Sequence, residues 1–460
     1  MRSTNEGIGA GGRAGVVGPD GEVVVDVLLS DYPFPGFLDP LRAGAAEFER
    51  RYPGVRVMVR SVGYEELPAQ VAEEAAKGSP PALASYYTGA SRQAMDTLNS
   101  EGAALFTPVE RALAGRSHVW DEPVTTGDTV AAARGFLTYG GELMAVPLGL
   151  STMVLYSNRT VLAEAGVTDA PRTWGEVSSV CAAVERTRSA RFGVSWPNDG
   201  KLFQQWLTQE GAHLVDRANG RRGRAGRVLM RGGELEELIT WWRDLHAKGH
   251  YLHTGALEDW PGVITAFAKG EVAMRVGSSF EAEHVVRAGR EAGFEVEVGP
   301  LPHRDGRPPV GNWVGGDALW LTDGLDERTR DAALALSMYL TRPEGVMTWH
   351  KASGSSPTTG SALRSLEAEG WFRERPHHAL VRDRLRACEG PRGAHAPIIP
   401  GSHGVQSALM EAMREVLTHG VEPRGRFRQA EARAQAALEE YNATVTAPGP
   451  RDPRWAMVGT

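Results

Sequence analysis

The sequence predicts an α/β protein built on open sheets. Its first ordered stretch reads strand, helix, strand. "VVVDVLL" (Val23 to Leu29) is a short apolar run, "LDPLRAGAAEFERRY" sets Leu38, Leu41, Ala45 and Phe48 at helical spacing, and "VRVMVRSV" (Val55 to Val62) resumes as strand after Pro53-Gly54. Such a unit makes a parallel strand pair with a right-handed crossover. More short apolar runs alternate with helical patterns further along, and 460 residues suffice for several cores at roughly 100–200 residues each.

Composition narrows the class. Hydrophobic residues at 42% and charged residues at 23% are globular proportions, and no run of about 18 apolar residues offers a membrane span. With 57 acidic against 50 basic residues the formal net charge is -7, which argues against a nucleic-acid footprint. Arg217, Arg221, Arg222, Arg224, Arg227 and Arg231 lie among glycines without interleaved aromatics and read as a solvated loop. Cys181 and Cys388 leave one disulfide open. The glycine-rich stretch 1–22 reads as a flexible leader; it has no apolar signal region and no cysteine for a lipid anchor, so the chain as written is expected to carry no export address.

Later elements follow in order. "ALASYY" (Ala82 to Tyr87), "LMAVPLG" (Leu143 to Gly149) and "MVLYSN" (Met153 to Asn158) are strand candidates. "TWGE" (Thr173 to Glu176) is a capping box that opens a helix, and "ELEELITWWRDLHAKG" buries Leu235, Leu238, Ile239, Trp242 and Leu245 on one face before Gly249. "VITAFAKGEVAMRVGSS" passes from helix through Gly270 into a strand that delivers Ser278 and Ser279 to a sheet edge. In "YLTRPEGVMTWHKASGSSPTT" a second capping box, Thr341 with Glu344, is expected to start a helix at Pro343 that stops at Gly354.

Catalytic and metal motifs are weak. "GIGAGG" (Gly7 to Gly12) has no strand before it and no helix after it, as a dinucleotide site requires. "GLSTM" (Gly149 to Met153) lacks the second glycine of a nucleophile elbow. His246, His250 and His253 are interrupted by Gly249 and have no carboxylate in phase, so no metal is expected. His350 beside Ser355 and Ser356 would need a third partner to act on a nucleophile, and a histidine packed at a helix end explains it better. What recurs is hydroxyls, glycines and aromatics at strand ends: Tyr64, Tyr86, Tyr87, Ser151, Thr152, Trp196, Ser278, Ser279, Trp313, Gly315, Gly316 and Ser355. Such groups suit polyols, with rings against C–H surfaces and hydroxyls or amides for sugar oxygens.

From Val23 to Asn442 the chain resembles the bacterial extracellular solute-binding proteins of the sugar-binding class, most of all the glycerol-3-phosphate-binding proteins of ABC importers. The resemblance rests on "FERRYPGVRV", "MAVPLGLSTMVLYSNRTVLAEAGVTDAPRTWGEV", "FAKGEVAMRVGSS", "GGDALWLT" and "YLTRPEGVMTWHKASGSSPTT", in that order. It implies a periplasmic-binding-protein-like fold of type II, with two α/β lobes joined by hinge segments and a ligand cleft between them. The expected divisions are lobe 1 over 23–157, lobe 2 over 158–310, hinge crossovers and completing helices over 311–445, and a flexible tail over 446–460.

Carried over residue by residue, the resemblance implies cleft roles for Tyr64, Ser151, Trp196, Ser278, Ser279, Gly315 and Gly316; Thr152, Trp313 and Asp317 lie beside them. Three positions depart from the family pattern. Tyr87 stands where an acidic residue is expected, Ser355 where a loop tyrosine is expected, and the phosphate-pairing arginine falls near Ser407, where "PGSHGVQS" offers only His403. An anionic phosphate wants a fork of charge-assisted donors, so the expected ligand is a neutral sugar or polyol. The expected partners are that ligand and an ABC permease, with no cofactor, no nucleic acid and a monomeric chain, outside the cytoplasm if a leader precedes this start. The rival is an intracellular protein reusing the fold as a biosynthetic enzyme or ligand carrier, with His350, His403 and Asp317 as its candidates.

Overall fold

The computed structural model describes residues 21–34, 36–388 and 397–445; almost all of the expected leader and the whole expected tail lie outside them. In chain order the strands of the two main sheets are β1 (Val23–Asp31), β2 (Val55–Gly63), β3 (Leu83–Tyr87), β4 (Phe106–Thr107), β5 (Val146–Ser151), β6 (Met153–Asn158), β7 (Phe192–Ser195), β8 (Tyr251–Leu252), β9 (Val272–Ser278), β10 (Val296–Pro300) and β11 (Gly315–Thr322). The helices that matter below are α1 (Asp39–Arg51), α2 (Trp174–Thr187), α3 (Gly200–Gln209), α4 (Gly233–Ala247), α5 (Trp260–Ala268), α6 (Ala282–Glu291), α7 (Glu327–Leu340), α8 (Pro343–Ser353), α9 (Pro376–Arg386), α10 (Ser402–His419) and α11 (Pro423–Val445).

The first sheet runs β2-β1-β3-β11-β4, with β5 also paired to β11. β1 is parallel to β2 and β3, while β11 runs antiparallel to β3, β4 and β5. The near-continuous burial of β1 fits a strand covered on both faces. α1 buries Leu41, Ala45 and Phe48 as its spacing predicts, and α7 and α8 pack on the same side. The second sheet runs β8-β7-β9-β6-β10; part of it, with α2, α3, α4, α10 and α11, builds a separate core, while Val154, Tyr156, Val272 and Val296 join that of the first.

The chain passes between sheets at a single residue. Ser151 ends β5 in the first sheet and Met153 begins β6 in the second, so Thr152 is the crossing. The strand Met153–Asn158, expected with lobe 1, therefore pairs in the second sheet, one strand earlier than the expected division at Ser157 and Asn158. A second crossing links β10 to β11. The two are tied together: Thr152 Oγ1 donates to Trp313 O (3.2 Å), and Thr152 N–H donates to Ser279 Oγ (3.0 Å).

Two local expectations differ, and one open question closes. Thr341 does not cap α8; its hydroxyl bonds back to Ser337 O at 2.8 Å, and Arg342 is the N-cap residue, although the helix does begin at Pro343 and end at left-handed Gly354. A hydroxyl one turn past its own carbonyl acceptor satisfies itself there and is lost to the next helix. The arginine-rich loop is not simply solvated: Arg221 donates to Phe136 O (2.8 Å) and Arg224 pairs with Asp96 (3.1 Å), both across to the first lobe. Cys181 and Cys388 are both buried, and no disulfide joins them.

Candidate functional site

The ends of strands from both sheets meet at one cleft, enclosing about 960 Å³ of empty space with its open mouth included. Of the residues picked out in the sequence, Tyr64, Tyr87, Ser151, Thr152, Ser278, Trp313, Gly315 and Gly316 line it. Tyr64 directly follows β2, Tyr87 ends β3, Ser151 ends β5, Ser278 ends β9, and the two glycines begin β11. Ligand crevices of open α/β sheets form at such strand ends.

Gly316 shows why glycine is needed here. Its φ is +144°, and a Cβ would sit 2.0 Å from Gly149 O, so the backbones of β5 and β11 approach as only a bare Cα allows. The register of this pair shifts just beyond, between Asp317 and Ala318, a bulge of the kind that re-aims strand ends beside sites.

The wall is largely aromatic. Tyr32 stacks on Tyr64 with ring centroids 4.8 Å apart and planes 8° off parallel, and Tyr64 meets Tyr87 edge-on at 5.2 Å. Phe34, Trp260, Phe280 and Trp313 complete it, with Met153 and Ile264. Gln205 Nε2 and Trp313 Nε1, on two residues that line the cleft, are buried donors with no protein partner.

The polar part of the wall centres on Lys201, at the start of α3. Its ammonium lies 3.1 Å from Glu65, 3.7 Å from Asp199 and 5.1 Å from the Tyr64 ring centroid. Burial works against its charge, yet Asp199, Tyr64, Tyr87 and Glu65 outweigh that and hold its pKa well above the usual lysine range. Asp199 also accepts from Trp260 Nε1 (2.8 Å) and caps α3. Nearby Glu258 has a raised pKa, from burial first and Asp199 second. Lys201 is thus a neutralised cation among carboxylates.

The other predicted residues lie off the cleft wall. Trp196 is in the core of the second lobe, in contact with Trp206 (5.1 Å), Trp241 (5.3 Å), Trp242 (5.4 Å) and Tyr251 (4.8 Å). It follows β7 on the face that α3 and α4 cover. Ser279 is buried as the acceptor for Thr152 N–H. Asp317 is buried beneath Tyr32, whose hydroxyl donates to it at 3.1 Å, and burial pushes its pKa up to about 7. Ser355 fills the space over Gly149, where a Cβ would fall within 1.7 Å of its Oγ. His403 is exposed in the first turn of α10.

His350 and Ser355 do not form a base and nucleophile. His350 Nδ1 faces the Ser355 carbonyl oxygen at 2.7 Å, and burial, with His378, drives its pKa down to about 3. His350, His403 and Asp317 do not converge.

Sequence reading missed Tyr32, Phe34, Lys201, Gln205 and Trp260. The signal existed for some: "YPFPGF" puts aromatics and prolines just after β1, and "EDWPG" places Trp260 at the first position of α5 beside its Asp259 cap.

Two mixed α/β lobes, crossing at Thr152 and Trp313 and facing one another over an aromatic cleft, make this a periplasmic-binding-protein-like fold of type II. The sequence pattern of bacterial extracellular solute-binding proteins matches residues 43–379, and the chain belongs to that family. It is 24% identical over 393 residues to the sn-glycerol-3-phosphate-binding periplasmic protein of Pectobacterium atrosepticum, covering 82% of this chain and 81% of that one. In structure it is similar to the GacH receptor of Streptomyces glaucescens, solved unliganded and with acarbose (TM-score 0.73, 20% identity, 91% of this chain and 100% of that one). It is also similar to the glycerophosphocholine-bound UgpB of Mycobacterium tuberculosis (TM-score 0.70, 19% identity, 91% and 99%).

Proposed function

We propose that the chain is the extracytoplasmic substrate-binding protein of an ABC importer. It takes a neutral carbohydrate or polyol-like ligand into the cleft and hands it unchanged, as a monomer, to a membrane permease. The observation that carries this reading is the chemistry of the wall: Tyr32, Tyr64, Trp260 and Trp313 offer ring faces, while Thr88, Ser151, Gln205 and the Trp313 indole offer hydrogen bonds. Aromatic faces with a few placed polar groups suit a saccharide.

An anionic ligand is disfavoured by the same wall. Lys201 is already engaged by Glu65 and Asp199, so a phosphate would compete with two carboxylates for one ammonium. The names of the relatives span glycerol phosphate and sugar ligands, and the cleft favours the second. No helix among the described residues is long and apolar enough to cross a membrane, which fits a protein delivering to a separate permease.

Thermal unfolding against a panel of mono- and oligosaccharides, polyols, glycerol phosphate and glycerophosphocholine tests the proposal. A ligand at about 100 times its Kd adds roughly 2.7 kcal/mol. The expected result is a raised Tm with a saccharide that mass spectrometry recovers intact. A response confined to the phosphorylated compounds, or a consumed ligand, overturns it.

A further inference from the structure

We propose that Glu283, His377 and His378 bind a divalent transition-metal ion of the zinc type, stapling the helix behind the cleft rim to the C-terminal helices. Glu283 lies in the first turn of α6, and the two histidines open α9 just after Pro376. Both imidazoles turn Nε2 onto the same carboxylate oxygen, at 2.8 Å for His377 and 3.3 Å for His378, and one ligand atom from each residue lies within 4.8 Å of the others. Glu283 and His377 are 94 positions apart, so no spacing in the sequence could announce the set.

Two imidazoles and a carboxylate are a borderline donor set that suits zinc, nickel or copper over calcium or magnesium. Around a tetrahedral ion with bonds of about 2.0–2.1 Å, donors stand roughly 3.3 Å apart. Of the two separations from the carboxylate oxygen, one already has that value and the other needs a few tenths of an ångström, and the two ring nitrogens lie within 4.8 Å of each other. As the cluster stands, two rings share one acceptor oxygen; an ion between them would take a lone pair from every member. His378 is 3% exposed, whereas Glu283 and His377 are partly open, which leaves a path for the ion and a fourth position for water.

A second observation extends the cluster. The His350 ring lies 4.6 Å from His378. Its Nδ1–H is directed to Ser355 O, which leaves Nε2 as a bare lone pair, buried and without a hydrogen-bond partner. Lys351 acts on His350, and the cation paired with the carboxylate is Arg375, 4.0 Å from Glu283. It stacks on Trp371 at 3.6 Å and pairs with Glu374 at 3.2 Å, so it stays anchored when a dication takes Glu283.

The bridge would join segments that matter to the cleft. α6 follows directly on Ser278 to Glu281 at the cleft rim, and α9 packs on β10 and α6. The site is independent of what the cleft binds.

The test is calorimetric titration of the tag-free, chelator-stripped full chain with Zn²⁺, with the Co²⁺ absorption spectrum as a second readout. One ion per chain is expected, together with the visible bands of a four-coordinate nitrogen and oxygen site. His378→Ala and Glu283→Gln should each weaken uptake at least about tenfold, and His246→Ala should leave it unchanged. Circular dichroism confirms that the variants fold, and Glu283→Gln, at a partly exposed position, keeps the test valid where His378→Ala unfolds. No uptake by the unmodified chain, or equal uptake by folded Glu283→Gln, overturns the proposal.

Discussion

At the scale of single residues, the cleft depends on a few positions where geometry leaves no substitute. Gly316→Ala would drive a methyl into the Gly149 carbonyl at a φ that alanine rarely adopts, at a cost of about 1–3 kcal/mol. Urea denaturation should show the loss as a lower midpoint, and an unchanged midpoint would mean that β5 and β11 part easily. Asp317 carries a pH dependence. Its folded pKa of about 7 lies above the ordinary 3.8 because burial disfavours the charge, so its contribution is full below about pH 4 and is lost as the pH rises to about 7. Asp317→Asn keeps an acceptor for the Tyr32 hydroxyl. The variant should lose less stability than the unmodified protein between pH 5 and pH 8, as read by Tm in buffers of matched ionic strength; parallel curves would place the charge elsewhere.

The sequence could point to Tyr64, Ser151, Ser278 and the paired glycines because each stands at a strand end, and strand ends are where crevices form. It could not tell Trp196 from Trp260. Both are tryptophans beside an element terminus, and which side of the sheet a ring takes depends on the helices above it. Lys201 was hidden for another reason: its importance comes from Glu65 and Asp199 around it, and Glu65 arrives from the other lobe.

At the scale of elements, α1 follows its apolar spacing closely because one face is buried, while β1 and β6 are buried at nearly every position, as apolar runs covered on both faces are. The two capping motifs divide. Thr173 caps α2 with Glu176 reaching back, and also bonds Asp305, whereas Thr341 is taken by Ser337 O and leaves α8 without a side-chain cap. Thr173→Ala should therefore cost about 1 kcal/mol, and Glu344→Ala, whose carboxylate lies on an exposed surface, should change stability by less than about 0.5 kcal/mol. Chemical denaturation of both variants checks the contrast; equal losses would mean that a second box forms in solution.

At the scale of the whole molecule, the division between lobes was the least legible feature. The chain leaves the first sheet and enters the second within one residue, Thr152, with no glycine- or proline-rich linker to mark the passage. The same economy makes Thr152 and Trp313 the joint about which the lobes can turn, a hinge of a few residues at element ends. Arg224 and Tyr441 both reach across the lobes to Asp96, the Tyr441 hydroxyl donating to it at 3.1 Å.

The most direct test of the central claim is calorimetric titration of the unmodified chain and of Trp313→Phe with the saccharide that most raises Tm, the ligand being recovered afterwards. Trp313→Phe keeps a ring in the wall and removes the unpartnered indole N–H. A saccharide recovered intact and bound about three- to tenfold more weakly by Trp313→Phe, the worth of one hydrogen bond, is the predicted result. Binding of glycerol phosphate alone, a saccharide affinity indifferent to Trp313, or a ligand returned chemically changed would contradict it.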